Sequence, residues 1–224
     1  MKPLLTQEEQ QRITKAVTKA ENGTSGEVTV AIIRESSDYA AHELLFAIIG
    51  GMIISLVMLL FTQPIEIWLQ TKLWRYSSGY LVLFYIAIHF AAVLVLYLLA
   101  NLPVIDRLII GRATMSKKVN QRAFRHFVES GTHTTRDNTG ILIFISILER
   151  RVELLADTGI NSKIAPEEWQ SIVTNIIDGI HQKHFVEKLE VSIGKCGELL
   201  RQHFPADESN PNELNDAVTM LEER

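Results

Sequence analysis

The chain has 224 residues, 47% of them hydrophobic, with 22 basic and 26 acidic side chains and a formal charge of −4. That length allows one domain with additions, the absence of a long basic run argues against a nucleic-acid partner, and a lone cysteine, Cys196, excludes an intrachain disulfide and fits a reducing compartment. Hydrophobic content is ordinary for a globular protein, so the distinguishing feature is where the charges stop.

The N-terminal stretch to Gly23 is polar and lacks the basic, apolar, small-residue order of a secretory signal, so the later hydrophobic runs are expected to be retained. Thr6 followed by Glu9 has the spacing of a capping box. Ile13, Ala16, Val17 and Ala20 then repeat on one helical face. Asn22 to Gly26 is turn chemistry, and the β-branched run Glu27 to Ile33 predicts a buried strand.

From Ser37 a helix is expected to run into the first of two long apolar segments. Leu44 to Ile65 contains 22 residues without a charge, and Tyr76 to Ile105 contains 30 with His89 as the one side chain of a type that titrates near neutral pH. A bilayer-spanning helix needs about 20 apolar residues, so spans are expected at about 44–65, closed by Pro64, and 79–100. Trp68, Trp74 and Tyr76 between them suit the headgroup layer. Pro103 begins a short amphipathic piece suited to the interface.

After the second span, Met115, Val119, Ala123, Phe124, Phe127 and Val128 predict an amphipathic helix ending near Gly131. Gly140 to Ser146 and Arg151 to Asp157 read as strands. The link between them is short enough to make them antiparallel. Pro166 opens a helix carrying Trp169, Ile172, Val173, Ile176, Ile177 and Ile180. A last helix carries Leu189, Ile193, Cys196, Leu200 and Phe204. The acidic segment 206–224 reads as a solvated tail with at most one short helix. No internal repeat is visible.

The strand at Glu27 has no partner before the apolar segments, so both later strands are its expected neighbours. The soluble domain is therefore split, with segments 1–35 and 112–205 flanking a membrane hairpin at 36–111. Seven Lys and Arg residues lie near the outer ends of the spans (Arg34, Arg107, Arg112, Lys117, Lys118, Arg122, Arg125), against Lys72 and Arg75 in the link. The positive-inside rule then puts both termini and the split domain in the cytoplasm, on a multi-pass protein of the cytoplasmic (inner) membrane.

The order of "SGE" before the first strand, "TGIL" at the second, "ERRVELLAD" through the third and a helix opening "EEW" resembles the TPM domain family, also called TPM phosphatase, and its membrane-bound members with an inserted hairpin. Leu5 to Arg34 and Arg112 to Pro205 carry the resemblance. It implies an α/β sandwich in which a small mixed sheet is flanked by helices on both faces. It also implies divalent-cation binding, Ca2+ or another, and phosphatase activity, since some soluble members have been assigned these.

Metal-assisted hydrolysis needs converging carboxylates. Asp137 and Asn138 before the second strand, Asp157 after the third and Glu27 at the start of the first could meet at one sheet edge. The metal candidates are thus Asp157, Asp137 and Glu27. The competing reading is that Asp-Asn and Asp-Thr-Gly are turn residues and that Glu27 faces solvent. No dense acidic loop, nucleophile elbow or P-loop is present. Cys196 falls on an apolar helix face, which points to core packing. His181 and His184 lack a second metal-ligand pair. His89 within a span is either functional or an interhelical hydrogen-bond partner, for instance of Ser55, and Gly50 and Gly51 permit close helix approach. Two functions follow from this sequence. The first is a membrane-tethered interaction or assembly module whose partner is another membrane protein or a second copy of the chain. The second is a membrane-bound, divalent-metal-dependent phosphatase.

Overall fold

Thr6 caps the first helix, α1 (Gln7–Glu21), through the capping box expected of it. Its Oγ1 accepts from Glu9 N at 3.2 Å, and its own N–H donates to Glu9 Oε2 at 2.7 Å. The structure, a computed structural model, describes residues 4–206 and 212–222. The chain divides into two units. One is Met1–Ser37 with Ala113–Arg224, and the other is Asp38–Arg112.

In the first unit, β1 (Glu27–Ile33), β2 (Gly140–Ser146), β3 (Arg151–Ala156) and β4 (Thr219–Leu221) form one mixed sheet in the order β3-β2-β1-β4. β1 runs parallel to β2 with Glu27 opposite Gly140 and Ile33 opposite Ser146, and β3 is antiparallel to β2. β1 does not touch β3, contrary to the expectation that both later strands flank it. The short β2–β3 connection lets β3 take one edge of β2 while β1 takes the other.

The second neighbour of β1 comes from the tail: Ala31 pairs with Thr219 and Ile33 with Leu221, in parallel. The expectation of a solvated tail is therefore corrected. Val218 and Met220 pack against the core, and apolar residues at alternate positions give even an acidic segment a strand to offer. Asp207, Glu208 and Glu223 of that tail lie outside the described residues.

Alternation along β1 decides the two layers. Val28, Val30 and Ile32, with Ile141, Ile143 and Ile145 of β2, meet α1, α8 (Pro166–Gln182) and α9 (Phe185–His203) through Ile13, Val17, Trp169, Ile176, Leu189 and Cys196. Ala31, Ile33, Leu142 and Phe144 face Val119, Ala123 and Phe127 of α6 (Arg112–Glu129). Helices thus cover both faces of a small mixed sheet. Phe124 and Val128 point away from it, 61% and 45% exposed.

The second unit comprises α2 (Ala40–Met58), α3 (Thr62–Lys72), α4 (Ser78–Ala100) and α5 (Pro103–Ile109). Two of its helices, Ala40–Lys72 with a 3₁₀ turn inside it and Ser78–Ala100, are long and apolar enough to cross a membrane. The first starts at Ala40 with Tyr39 as its N-cap residue, not at Ser37. It also continues past Pro64, which sits in the first turn of α3, where a missing N–H leaves no helical bond unmade.

Candidate functional site

The three acids predicted to meet do lie at one end of the sheet. Glu27 opens β1 and donates its N–H to Thr139 O at 3.1 Å, while Asp157 follows β3 and donates its N–H to Gly140 O at 3.0 Å. The turn Asp137–Asn138 leads into β2. A Cβ on Gly159 would stand 2.6 Å from Asn138 O and 3.0 Å from Asp137 O, so this turn seats directly on the start of α7 (Thr158–Asn161).

Their side chains are committed differently. Glu27 is 3% exposed, not solvent-facing, and its two carboxylate oxygens accept from the N–H groups of Glu213 at 3.3 Å and Leu214 at 3.4 Å. Burial pushes its carboxyl above the ordinary range, and those two donors pull it back. Asp157 Oδ1 caps α7, accepting from Thr158 N at 2.6 Å, while its buried Oδ2 has no hydrogen-bond partner. Asp137 is half-exposed and faces Arg136 Nη2 at 3.5 Å. Asn138 takes φ +54, the left-handed turn conformation that asparagine tolerates.

Among the described residues no three acids, histidines or cysteines gather closely enough to hold a metal ion. Calcium takes about six to eight oxygens, and among the buried carboxylates at this end of the sheet one oxygen, Asp157 Oδ2, lacks a partner, while Asp137 is half-exposed beside Arg136. The residues as arranged do not fit that ion.

A fourth acid at the same end escaped the sequence reading. Glu21, at the end of α1, accepts from Val28 N at 2.8 Å and shares a side-chain hydrogen bond with Asp216 of the tail. Burial, reinforced by the charges of Glu27 and Asp216, pushes its carboxyl up to about 8. Glu21 therefore keeps its proton at neutral pH, and it bridges α1, β1 and the tail. The available signal was its position six residues before Glu27 across a tight turn.

In the helical unit His89 Nδ1 lies 2.9 Å from Ser55 Oγ, the partner expected for it. Ser55 Oγ donates to Gly51 O at 2.9 Å, which assigns the shared proton to His89 Nδ1. One turn on, Tyr85 Oη meets Thr62 Oγ1 at 2.8 Å and donates to Met58 O at 3.1 Å. A Cβ on Gly51 would lie 2.4 Å from Val93 Cγ2, and one on Gly50 would lie 2.6 Å from Leu96 Cδ1. These glycines let α2 and α4 pack antiparallel at close range. Glu43 and Asp106, both buried, share a side-chain hydrogen bond that also went unforeseen. Burial holds the Asp106 carboxyl above its ordinary range.

Cys196 is fully buried and its thiol is pushed up to about 12, a packing residue rather than a nucleophile. His181 and His184 take separate partners, Arg150 Nη1 at 3.2 Å and Glu187 Oε2 at 3.0 Å.

No protein-family model matches the chain, and no curated protein does. Among solved structures, the chain is similar to the NMR structure of BA42 protein from the psychrophilic bacterium Bizionia argentinensis, with a TM-score of 0.58 and 18% identity over 98% of this chain and 97% of that one. At that identity the likeness concerns the fold alone.

Proposed function

We propose that the protein is an integral membrane protein whose split α/β unit, of the TPM type, is a cytoplasmic interaction or assembly module held at the inner membrane by the α2–α4 hairpin. The observation that carries this reading is the apolar surface of the hairpin. Leu45, Ile53, Leu56, Leu60, Phe90 and Leu98 are each more than half exposed, and the two helices present such residues along their lengths. A surface of that kind belongs against lipid or protein, not water. The Ser55–His89 pair satisfies the most polar groups of the spans internally, as a bilayer requires.

The interaction reading is supported by Phe124 and Val128, one helical turn from each other on the outer side of α6. The partner is another membrane protein or a second copy of the chain. Glu27, which the enzymatic reading needs as a ligand, instead fastens the tail.

Cysteine accessibility tests the topology. Cys196 is buried with a poorly ionised thiol, so the native chain gives a silent background. In intact bacterial spheroplasts, an impermeant maleimide is expected to label Ser77→Cys in the link, and Lys15→Cys only after permeabilisation. The reverse pattern sinks the cytoplasmic assignment, and labelling of both before permeabilisation sinks the hairpin.

One observation favours the phosphatase reading, the orphaned Asp157 Oδ2. Calorimetric titration of the detergent-purified chain with Ca2+, Mg2+ and Mn2+ decides it. We expect no saturable heat with any ion and the same flat trace for Asp157→Asn. Saturable binding lost in that variant would instead establish the cation site and reinstate the enzyme.

A further inference from the structure

At the opposite end of β1 from the acids, a cavity of about 130 Å³ is lined by Ser36, Ser37, Lys118, Gln121, Arg122 and Arg125, all within the α/β unit. The volume is roughly that of four waters, room for one phosphate group. Lys118, Arg122 and Arg125 follow at i, i+4 and i+7 on α6, so one stripe of the helix faces the cavity. Ser36 lies just past the carboxyl end of β1, beside parallel β2, where crevices of α/β sheets receive ligands.

The side chains at the floor are unfinished. The Arg122 side chain is only 10% exposed, and its Nη1 makes no hydrogen bond. Glu129 Oε2 stands 3.6 Å away, close enough to neutralise part of its charge but not to accept. Ser36 is 8% exposed; its N–H donates to Glu149 Oε1 at 3.0 Å, while its buried Oγ has no partner. A buried polar group left unmade is costly. The cavity wall holds a guanidinium and a hydroxyl with unpartnered atoms, and two further cations stand at the rim, while the Ser36 amide is already taken by Glu149. A ligand that completes them carries several acceptor oxygens and negative charge.

We propose that this cavity binds a phosphate group, with Arg122 and Ser36 at its floor and Lys118 and Arg125 at its rim. Arg122 supplies the directional donors that match phosphate oxygens. The group arrives either on a soluble phosphate species or as a lipid headgroup. The second source is reasonable because Ser37 directly precedes the hairpin and α6 directly follows it in the chain. The pocket itself stands independently of the membrane reading.

The test uses the full-length chain in phosphatidylcholine nanodiscs, with Trp68 and Trp74 replaced by Phe so that Trp169 in the α/β core reports thermal unfolding. One arm adds inorganic phosphate against chloride of equal ionic strength, and the other replaces part of the lipid with phosphatidic acid. Binding is expected as a rise in the unfolding midpoint in at least one arm. Arg125→Gln, at the exposed rim, is expected to weaken it about tenfold, the loss of one charge-assisted contact. Arg122→Gln and Ser36→Ala are expected to weaken it at least as much. A response to free phosphate assigns a soluble ligand, and a response to phosphatidic acid alone assigns the headgroup. No response in either arm, or an Arg125→Gln protein that responds like the wild type, overturns the proposal.

Discussion

Gly140→Ala is expected to unfold most of the α/β unit. A Cβ at residue 140 would sit 1.9 Å from the backbone oxygen of Thr132, far inside van der Waals contact. Neither side can retreat. Gly140 is held in register opposite Glu27, and its carbonyl accepts from Asp157 N. Thr132 is fully buried, and its hydroxyl is bonded to Ser130 at 2.8 Å and Thr29 at 3.2 Å. Moving either segment breaks the start of the β1–β2 pairing. Overpacking of a flexible side chain costs about 1–3 kcal/mol, and a backbone collision exceeds that, so about 4 kcal/mol or more is expected. Set against a total of about 5–15 kcal/mol, this leaves little folded protein in mild denaturant. Urea titration followed by Trp169 fluorescence, in a background with Trp68 and Trp74 replaced by Phe, checks it. A midpoint within experimental error of the wild type would mean that residues 130–134 can rearrange.

Glu21→Gln is expected to remove most of the pH dependence of stability between about 4.5, the ordinary value, and about 8. In the native unit burial holds the carboxyl up to about 8, so across that window the folded chain keeps a proton that the unfolded chain has released. The folded state binds more protons, so stability is full at the acid side and falls as pH rises. The displacement is worth up to ~5 kcal/mol, and partial exposure reduces that to about 2–3 kcal/mol. The wild type should therefore lose roughly 5–10 °C in melting temperature from pH 5 to pH 8. Glutamine keeps the oxygen that accepts from Val28 N and offers an amide to Asp216. The variant should show a much shallower dependence across the window, the remainder set by Glu27 and His126, and should melt above the wild type at pH 8. Equal slopes for both proteins would show that Glu21 ionises freely and that Glu27, also raised by burial, carries whatever dependence remains.

The elements of the α/β unit were legible because their cues are local. β-branched runs located β1 and β2 to the residue, the Thr6–Glu9 spacing marked α1, and helical periodicity picked out the buried faces of α8 and α9. His89 and Ser55 could be paired because polar groups in a long apolar helix have few places to turn. What stayed hidden depends on distance along the chain. β4 is three residues of an acidic tail, and only the open edge of β1 makes it a strand. Phe124 and Val128 matched the helical period but lie on its far side. Glu21 owes its raised carboxyl to burial first and then to the charges of Glu27 and of Asp216, the latter nearly two hundred positions later. The Ser36–Arg122 cavity was read only as a count of positive charges, because the vacancy of Nη1 and Oγ is a property of three-dimensional packing.

β1 lies between two strands that are both made after the hairpin, and this sets a timetable for synthesis. Thr29 bonds Ile141 O across 112 positions of chain. At about 5–20 residues per second, roughly 6–22 s pass between the appearance of the two. Over that period an apolar, β-branched segment waits with both edges bare. The antiparallel packing of α2 on α4 draws together the ends of the inserted stretch. Once it forms, the loop that β1 and β2 must close is far shorter than the sequence suggests, and the entropic cost falls accordingly. A substitution at Gly50 or Gly51 that delays this packing acts first on β1, more than sixteen residues upstream of either glycine. Its signature is aggregation of nascent chains rather than a lower melting temperature of those that mature.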